Sequence, residues 1–221
     1  MDKFVTLTAV AAPIDMDNVD NDQVIPARFM RKQRSDGMYG TYLFHDLRFN
    51  EDGSEKPEFP LNCPAWRNAK IIVASYNYSC GSSRLGAVYT HYDFGIRALI
   101  ANSFGDVFFN NCFKNGILPI RLPPELTADL RHQLHASPGA QLSIDLPRQV
   151  VTDTTGVEHA FTVDPFGKRC LLEGLSDIAL TLHRGQEILA FERRHRQAFS
   201  WLPVQTQVRP SYTFIDSAGG R

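Results

Sequence analysis

The residues with the clearest chemical potential are Cys80-Gly81-Ser82-Ser83-Arg84, two hydroxyls and a guanidinium within one tight turn. They follow an apolar run, Ile71-Ile72-Val73-Ala74, and a polar hinge, Ser75 to Ser79. The sequence after Arg84 reads as the start of a helix. Unpaired amides and a partial positive charge at a helix N-terminus make such a turn a seat for an anion. Two further groups could serve the same site. Asp20 and Asp22 belong to an acidic run with Asp15 and Asp17, read either as a metal loop or as a turn and cap, with Asn21 or Asp22 capping a short helix near Pro26. Arg28, Arg31, Lys32 and Arg34 form a basic stretch, read either as a solvated loop or as one that closes over an acidic substrate.

The elements around these residues set the fold class. Phe4 to Ile14 reads as a first strand. Residues 69–122 alternate strand, helix, strand, helix, strand, the pattern of a parallel sheet with crossover helices. The helix over Phe104–Lys114 is expected to be capped by Ser103 and to end before Gly116. Pro123 to Ala136 reads as a helix, with leucines at 126, 130 and 134 on one face. Residues 140–151 and 157–163 are expected to form a hairpin closed by Asp153 to Gly156, with His159 at the surface. Residues 164–174 read as a loop, and a terminal helix runs through Arg196. The fold class expected is α/β.

Composition narrows the function. In a chain of 221 residues with 43% hydrophobic and 21% charged residues, a net charge of −1 speaks against binding nucleic acid by general attraction. The longest apolar runs are too short to span a membrane, and the first residues lack the pattern of a secretory leader. The expected setting is the cytoplasm. Cys63, Cys80, Cys112 and Cys170 are far apart in sequence, so no metal or iron–sulfur ligand set is expected on this chain, and reduced cysteines in or near a core are.

Five ordered blocks then carry a resemblance. They are Asn18–Pro26, Leu43–Phe49, Cys80–Arg84, Ile100–Phe108 and Asn115–Ile120. Together they resemble the 3-isopropylmalate dehydratase small-subunit family, which is similar to the swivelling domain of aconitase. The likeness covers roughly residues 4–200. It implies a swivelling β/β/α domain, a mixed sheet or barrel flanked by helices, over residues 1–201; residues 202–221, with two prolines and an Ala-Gly-Gly-Arg end, are expected to be a flexible tail. It also implies isomerisation of 2-isopropylmalate to 3-isopropylmalate by dehydration and rehydration in leucine biosynthesis.

The resemblance further implies a large-subunit partner, in a heterodimer or heterotetramer, that carries a 4Fe-4S cluster. By motif match Ser82 is the base and Arg84 its catalytic cation and carboxylate ligand. Ser83, Asp20, Asp22 and one of Arg31, Lys32 or Arg34 would contact the hydroxy-diacid or order its loops. Leu85-Gly86-Ala87-Val88 stands where the family has Glu-His-Ala-Pro, and Asn21 where it has threonine. Alternatives are a paralogue acting on another branched hydroxy-diacid, a non-catalytic diacid-binding module, and a phosphate or nucleotide binder using the Gly81 turn.

Overall fold

A β-branched run with both faces apolar forms a strand only where both faces are covered. Ile71–Ala74 is such a strand, β2, and it is buried throughout. Ile72 and Ala74 pack into one core and Ile71 and Val73 into the other. The same alternation holds in β3 (Ala98–Ala101), where Leu99 and Ala101 face the first core and Ala98 and Ile100 the second. A computed structural model describes residues 1–81 and 85–202 of the chain. Ser82, Ser83 and Arg84, and all of the expected 202–221 tail except Leu202, lie outside the described residues.

The sheet has seven strands in the order β4-β3-β2-β1-β5-β6-β7. β1 (Thr6–Ile14) joins its two halves. Its end, Ala11 to Ile14, pairs in parallel with β2, and its start, Thr6 to Val10, pairs antiparallel with β5 (Gln141–Asp145). β3 and β4 (Leu118–Arg121) continue the parallel half. β6 (Val150–Thr152) and β7 (Glu158–Ala160) continue the antiparallel half. The helices of the parallel half are α3 (Leu85–Phe94), α4 (Asp106–Lys114) and α5 (Pro124–Ala136). This is the α/β mixed sheet with flanking helices that the family resemblance implies, and its parallel half is the one the strand–helix alternation predicts. Two one-turn helices, α1 (Asn21–Val24) and α2 (His45–Arg48), lie before β2.

Four local expectations are corrected. Residues 164–174 are not a loop: Asp164 caps α6 (Pro165–Glu173) by accepting from Gly167 N–H at 2.9 Å. Proline at the first helical position and glycine just past the end were the available signals. Residues 140–151 are two strands, because the chain turns at Leu146–Gln149, with Gln149 at φ 56°. Ser103 does not cap α4, which starts from Gly105; its hydroxyl accepts from Asn77 N–H instead. The terminal helix is two, α7 (Asp177–Leu182) and α8 (Gly185–Ala198).

The turn at Asp153 does join β6 to β7. Burial alone would raise the Asp153 carboxyl, but His159, Thr155 and the amides of Val157 and Thr155 hold it well below the usual carboxylate range. The chain divides into two compact units, residues 1–179 and 180–221. The described part of the second consists mainly of α8, along which Phe191, His195 and Phe199 stack at 5.7 and 4.9 Å. All four cysteines are thiols rather than disulfides; Cys112 and Cys170 are buried and Cys63 and Cys80 half-buried. No helix among the described residues is long and apolar enough to cross a membrane.

His91, on α3, is completely buried against Phe44, Tyr78 and Phe108. Its Nδ1 lies 2.6 Å from the Ala87 carbonyl and its Nε2 2.8 Å from the Tyr78 hydroxyl. A neutral ring satisfies both contacts, donating at Nδ1 and accepting at Nε2. Burial lowers its pKa to about 4, against the pull of the Ala87 carbonyl. The unfolded chain takes up this proton below about pH 6.5, whereas the folded chain resists until about pH 4. Stability should therefore fall with pH across that window, by on the order of 3 kcal/mol at its lower end. Urea unfolding at pH 7 and pH 4.5 measures the loss, and His91→Gln should remove most of the difference while lowering stability at pH 7.

Candidate active site

Parallel strands bring the segments that follow them to one edge of the sheet, where ligands bind in open α/β folds. Here those segments stay paired after the strands end. Asn18 N–H donates to the Tyr76 carbonyl at 2.9 Å and Cys80 N–H to the Val19 carbonyl at 3.0 Å. Asn21 N–H donates back to the Cys80 carbonyl at 3.0 Å. Isolated bridges join Asp20 to Cys80 and Tyr78 to Phe104. The segments after β1, β2 and β3 thus form a short backbone zipper, and Gly81 (φ 88°) stands at its end.

The zipper holds strained backbone. Asn18, Asn77 and Ser79 have φ of 52°, 55° and 54°. Asparagine tolerates this left-handed region through local hydrogen bonds, whereas serine there costs on the order of 1 kcal/mol. Each residue is held by a specific contact. Asn77 Nδ2 donates to Asn18 Oδ1 at 2.8 Å, and the buried Ser79 hydroxyl donates to Asn21 Oδ1 at 2.5 Å. Asn21, read from the sequence as a departure and as one of two candidate caps, therefore braces the residues just before the Gly81 turn through both its backbone and its side chain. Beside them an open cavity of about 270 Å³ is lined by Asn77, Ser79, Cys80, Gly81 and residues 104–108.

Asp20, rather than Asn21 or Asp22, is the cap. Its carboxylate accepts from Gln23 N–H at 2.7 Å and its own N–H donates to Gln23 Oε1 at 2.9 Å, a complete capping box. Because Asp20 also bridges Cys80, the cap of α1 and the approach to the serine turn are one structure. Asp22 is exposed on α1. The rest of the acidic run is committed elsewhere. Asp15 pairs with Arg131 at 2.8 Å and His135 at 2.5 Å, both on α5. Asp17 is held low by the Ser75 hydroxyl and the Tyr76 amide. Among the described residues no group of three or more His, Cys, Asp or Glu is placed to hold a metal.

The basic stretch divides into two kinds of cation. Arg28 forks onto Asp46. Arg34 makes a bidentate pair with Asp93 on α3, both contacts at 2.6 Å, and lies over the Tyr89 ring at 4.5 Å. Arg31 and Lys32 are exposed, with no ion-pair partner among the described residues. Ser82, Ser83 and Arg84 lie outside the described residues; covalent continuity alone puts them between Gly81 and the first turn of α3.

Comparison with known proteins completes the identification. Residues 1–125 match the family model of the aconitase C-terminal domain, and residues 128–165 match a model described as LeuD_N. Residues 177–205 match the model of the C-terminal domain found in 3-isopropylmalate dehydratase small subunits. The chain is 51% identical over 202 residues to the 3-isopropylmalate dehydratase small subunit of Paramagnetospirillum magneticum, covering 91% of this chain and all of that one. It is 48% identical over 208 residues to the corresponding protein of Rhodospirillum rubrum, covering 94% and 100%. A crystal structure of 3-isopropylmalate dehydratase from Methanocaldococcus jannaschii shares the fold, with a TM-score of 0.61 at 23% identity over 85% of this chain and 99% of that one.

The close approach of α4 to the zipper gives a test. A Cβ on Gly105 would lie 2.5 Å from the Ser79 carbonyl oxygen and 3.1 Å from Cys80 Cα, and these backbone atoms cannot swing aside. Gly105→Ala should destabilise the chain by about 1–3 kcal/mol. Activity should fall further than that loss explains when measured well below the unfolding temperature, since Ser79 and Cys80 must shift. The aconitase-domain match over more than half the chain, and near-50% identity along nearly its whole length, place this chain in the 3-isopropylmalate dehydratase small-subunit family.

Proposed function

We infer that this chain is the small subunit of a hydro-lyase that converts 2-isopropylmalate to 3-isopropylmalate in leucine biosynthesis and works with a large subunit. The observation that carries this reading is the identity of about half, over nearly the full length, to small subunits of that name. The site supports it in kind: an acid substrate needs cations at a pre-organised turn, and the zipper at the carboxyl ends of β1–β3 supplies the pre-organisation.

In our proposal Ser82 is the base that removes the proton beside a substrate carboxylate. A serine hydroxyl is a weak acid, so its anion must be stabilised strongly. The amides at the start of α3 and the Arg84 guanidinium are the groups available for this. Arg84 also binds a carboxylate, and Ser83 donates a further hydrogen bond. Asp20 acts through its bridge to Cys80, ordering the serine turn, and Asp22 beside it orients the same loop. Among the loop cations, Arg31 and Lys32 are the better ligands for the distal carboxylate, because Arg34 already has its fork on Asp93.

We assign the 4Fe-4S cluster to the large subunit. Among the described residues of this chain no group of three or more His, Cys, Asp or Glu is placed to hold one. The chain's own part is to hold substrate and move a proton.

Reconstitution with the large subunit tests the reading, with turnover followed by the absorbance of the unsaturated intermediate. The wild-type complex should turn over 2-isopropylmalate, and Ser82→Ala should lower kcat by roughly 10²- to 10⁴-fold. Undiminished turnover in Ser82→Ala would remove the serine base. Binding of the diacid without reaction in the wild-type complex would point to the non-catalytic module instead.

A further inference from the structure

The segment from Met30 to Tyr42 is laid along α3 rather than projecting from it. At one end Arg34 is clamped to Asp93 near the C-terminus of α3 and sits over Tyr89. Thr90 Oγ1 donates to the Tyr39 carbonyl at 2.9 Å, and Tyr39 is buried. At the other end the contact is Met30 on Gly86, in the first turn of α3. A Cβ at Gly86 would meet Met30 Sδ at 2.7 Å, Met30 Cε at 3.1 Å and the Tyr39 hydroxyl at 3.0 Å. The thioether therefore occupies the place a side chain at 86 would take.

Gly86 has no positive φ, and glycine in a helix is about 1 kcal/mol worse than alanine. Turn geometry does not ask for glycine here; a side chain at 86 would have to displace the flexible tip of Met30 from its seat. Only three residues, Arg31 to Gln33, separate the Met30 anchor from the Arg34 clamp. A span that short between two fixed points leaves its backbone, and so the Cα–Cβ directions of its side chains, a narrow range of positions. The exposed cations Arg31 and Lys32 lie within it.

We propose that Met30 is a positioning residue for substrate recognition: seated in the space left by Gly86, it fixes Arg31 and Lys32 relative to the start of α3 and so sets how the distal carboxylate of the diacid is met. This rests on the functional reading above and adds to it the contact that governs substrate affinity. Met30 touches neither substrate nor reacting atoms in this account; it acts through its two neighbours.

The experiment is a double-mutant cycle in the reconstituted complex. Gly86→Ala adds the methyl group that displaces the tip of Met30, so KM for 2-isopropylmalate should rise roughly fivefold while kcat stays within about twofold. A general helix-propensity effect has the opposite sign, because alanine favours the helix. Met30→Ala should raise KM similarly, and the double variant should be no worse than Met30→Ala alone, since the clash with Met30 is gone and the Tyr39 hydroxyl at 3.0 Å need give by only a few tenths of an ångström. Met30→Leu, which keeps the anchor, should retain the wild-type KM. Additive effects, an unchanged KM in either single variant, or a fall confined to kcat would each overturn the proposal.

Amide hydrogen exchange on the isolated small subunit separates this inference from the reading beneath it. Gly86→Ala should reduce protection over residues 28–34, and unchanged protection overturns the Met30 anchor whether or not the complex is active. If the wild-type complex fails to turn over 2-isopropylmalate, the functional reading fails, and reduced protection still supports the anchor.

Discussion

The structure of the site depends on backbone pairing that persists beyond the strands. β1, β2 and β3 run in parallel, so their following segments leave the sheet at the same edge with amides and carbonyls still in register. Val19, Cys80 and Asn21 use that register, as do Tyr78 and Phe104. Each buried backbone group paired in this way avoids a desolvation cost of about 1–3 kcal/mol. This is sufficient to hold Asn77 and Ser79 in a region of φ that isolated residues avoid. Removing the pairing would release the strain and disperse the site.

Side chains then fix what the backbone has brought together. Asp20 caps α1 and bridges Cys80, and Asn21 fastens Ser79. Arg131 reaches from α5 to both Asp15 and the Ala74 carbonyl, tying the ends of β1 and β2 to a helix on the far side of the sequence. Behind the turn, the aromatic packing of Phe44, Tyr78, His91 and Phe108 gives α3 a rigid seat. The polar groups in that packing, the tyrosine hydroxyl and the imidazole, satisfy each other.

Charge is distributed to match. The basic stretch looks uniform in sequence, yet the fold spends Arg28 and Arg34 on Asp46 and Asp93 and leaves Arg31 and Lys32 exposed. Fixed ion pairs thus anchor the ends of a loop whose middle carries the open cations.

Much of this was legible in the residues. The buried runs at 71–74 and 98–101, each with both faces apolar, announce a parallel sheet, and the ordered blocks around Asn18, Leu43, Cys80, Ile100 and Asn115 announce the family. Local signals failed where a second partner decided the outcome. Ser103 has the right type for a cap but bonds Asn77, 26 residues away. Residues 140–151 read as one strand, because nothing in the apolar pattern reveals that Gln149 turns back. Capping and turn preferences amount to about 1 kcal/mol, and a tertiary contact of equal size overrides them.

The sequence by itself determined the class of fold and the family, and it supplied the residues proposed to handle an acid. Those properties follow from periodicity and from motifs that are local in the chain. Only the tertiary structure decided which aspartate caps and which cations are consumed in ion pairs. It alone brought Met30 against Gly86, since each of these depends on contacts between segments tens of residues apart. The Met30–Gly86 contact spans 56 positions, and no spacing rule within a helix or strand reaches that far.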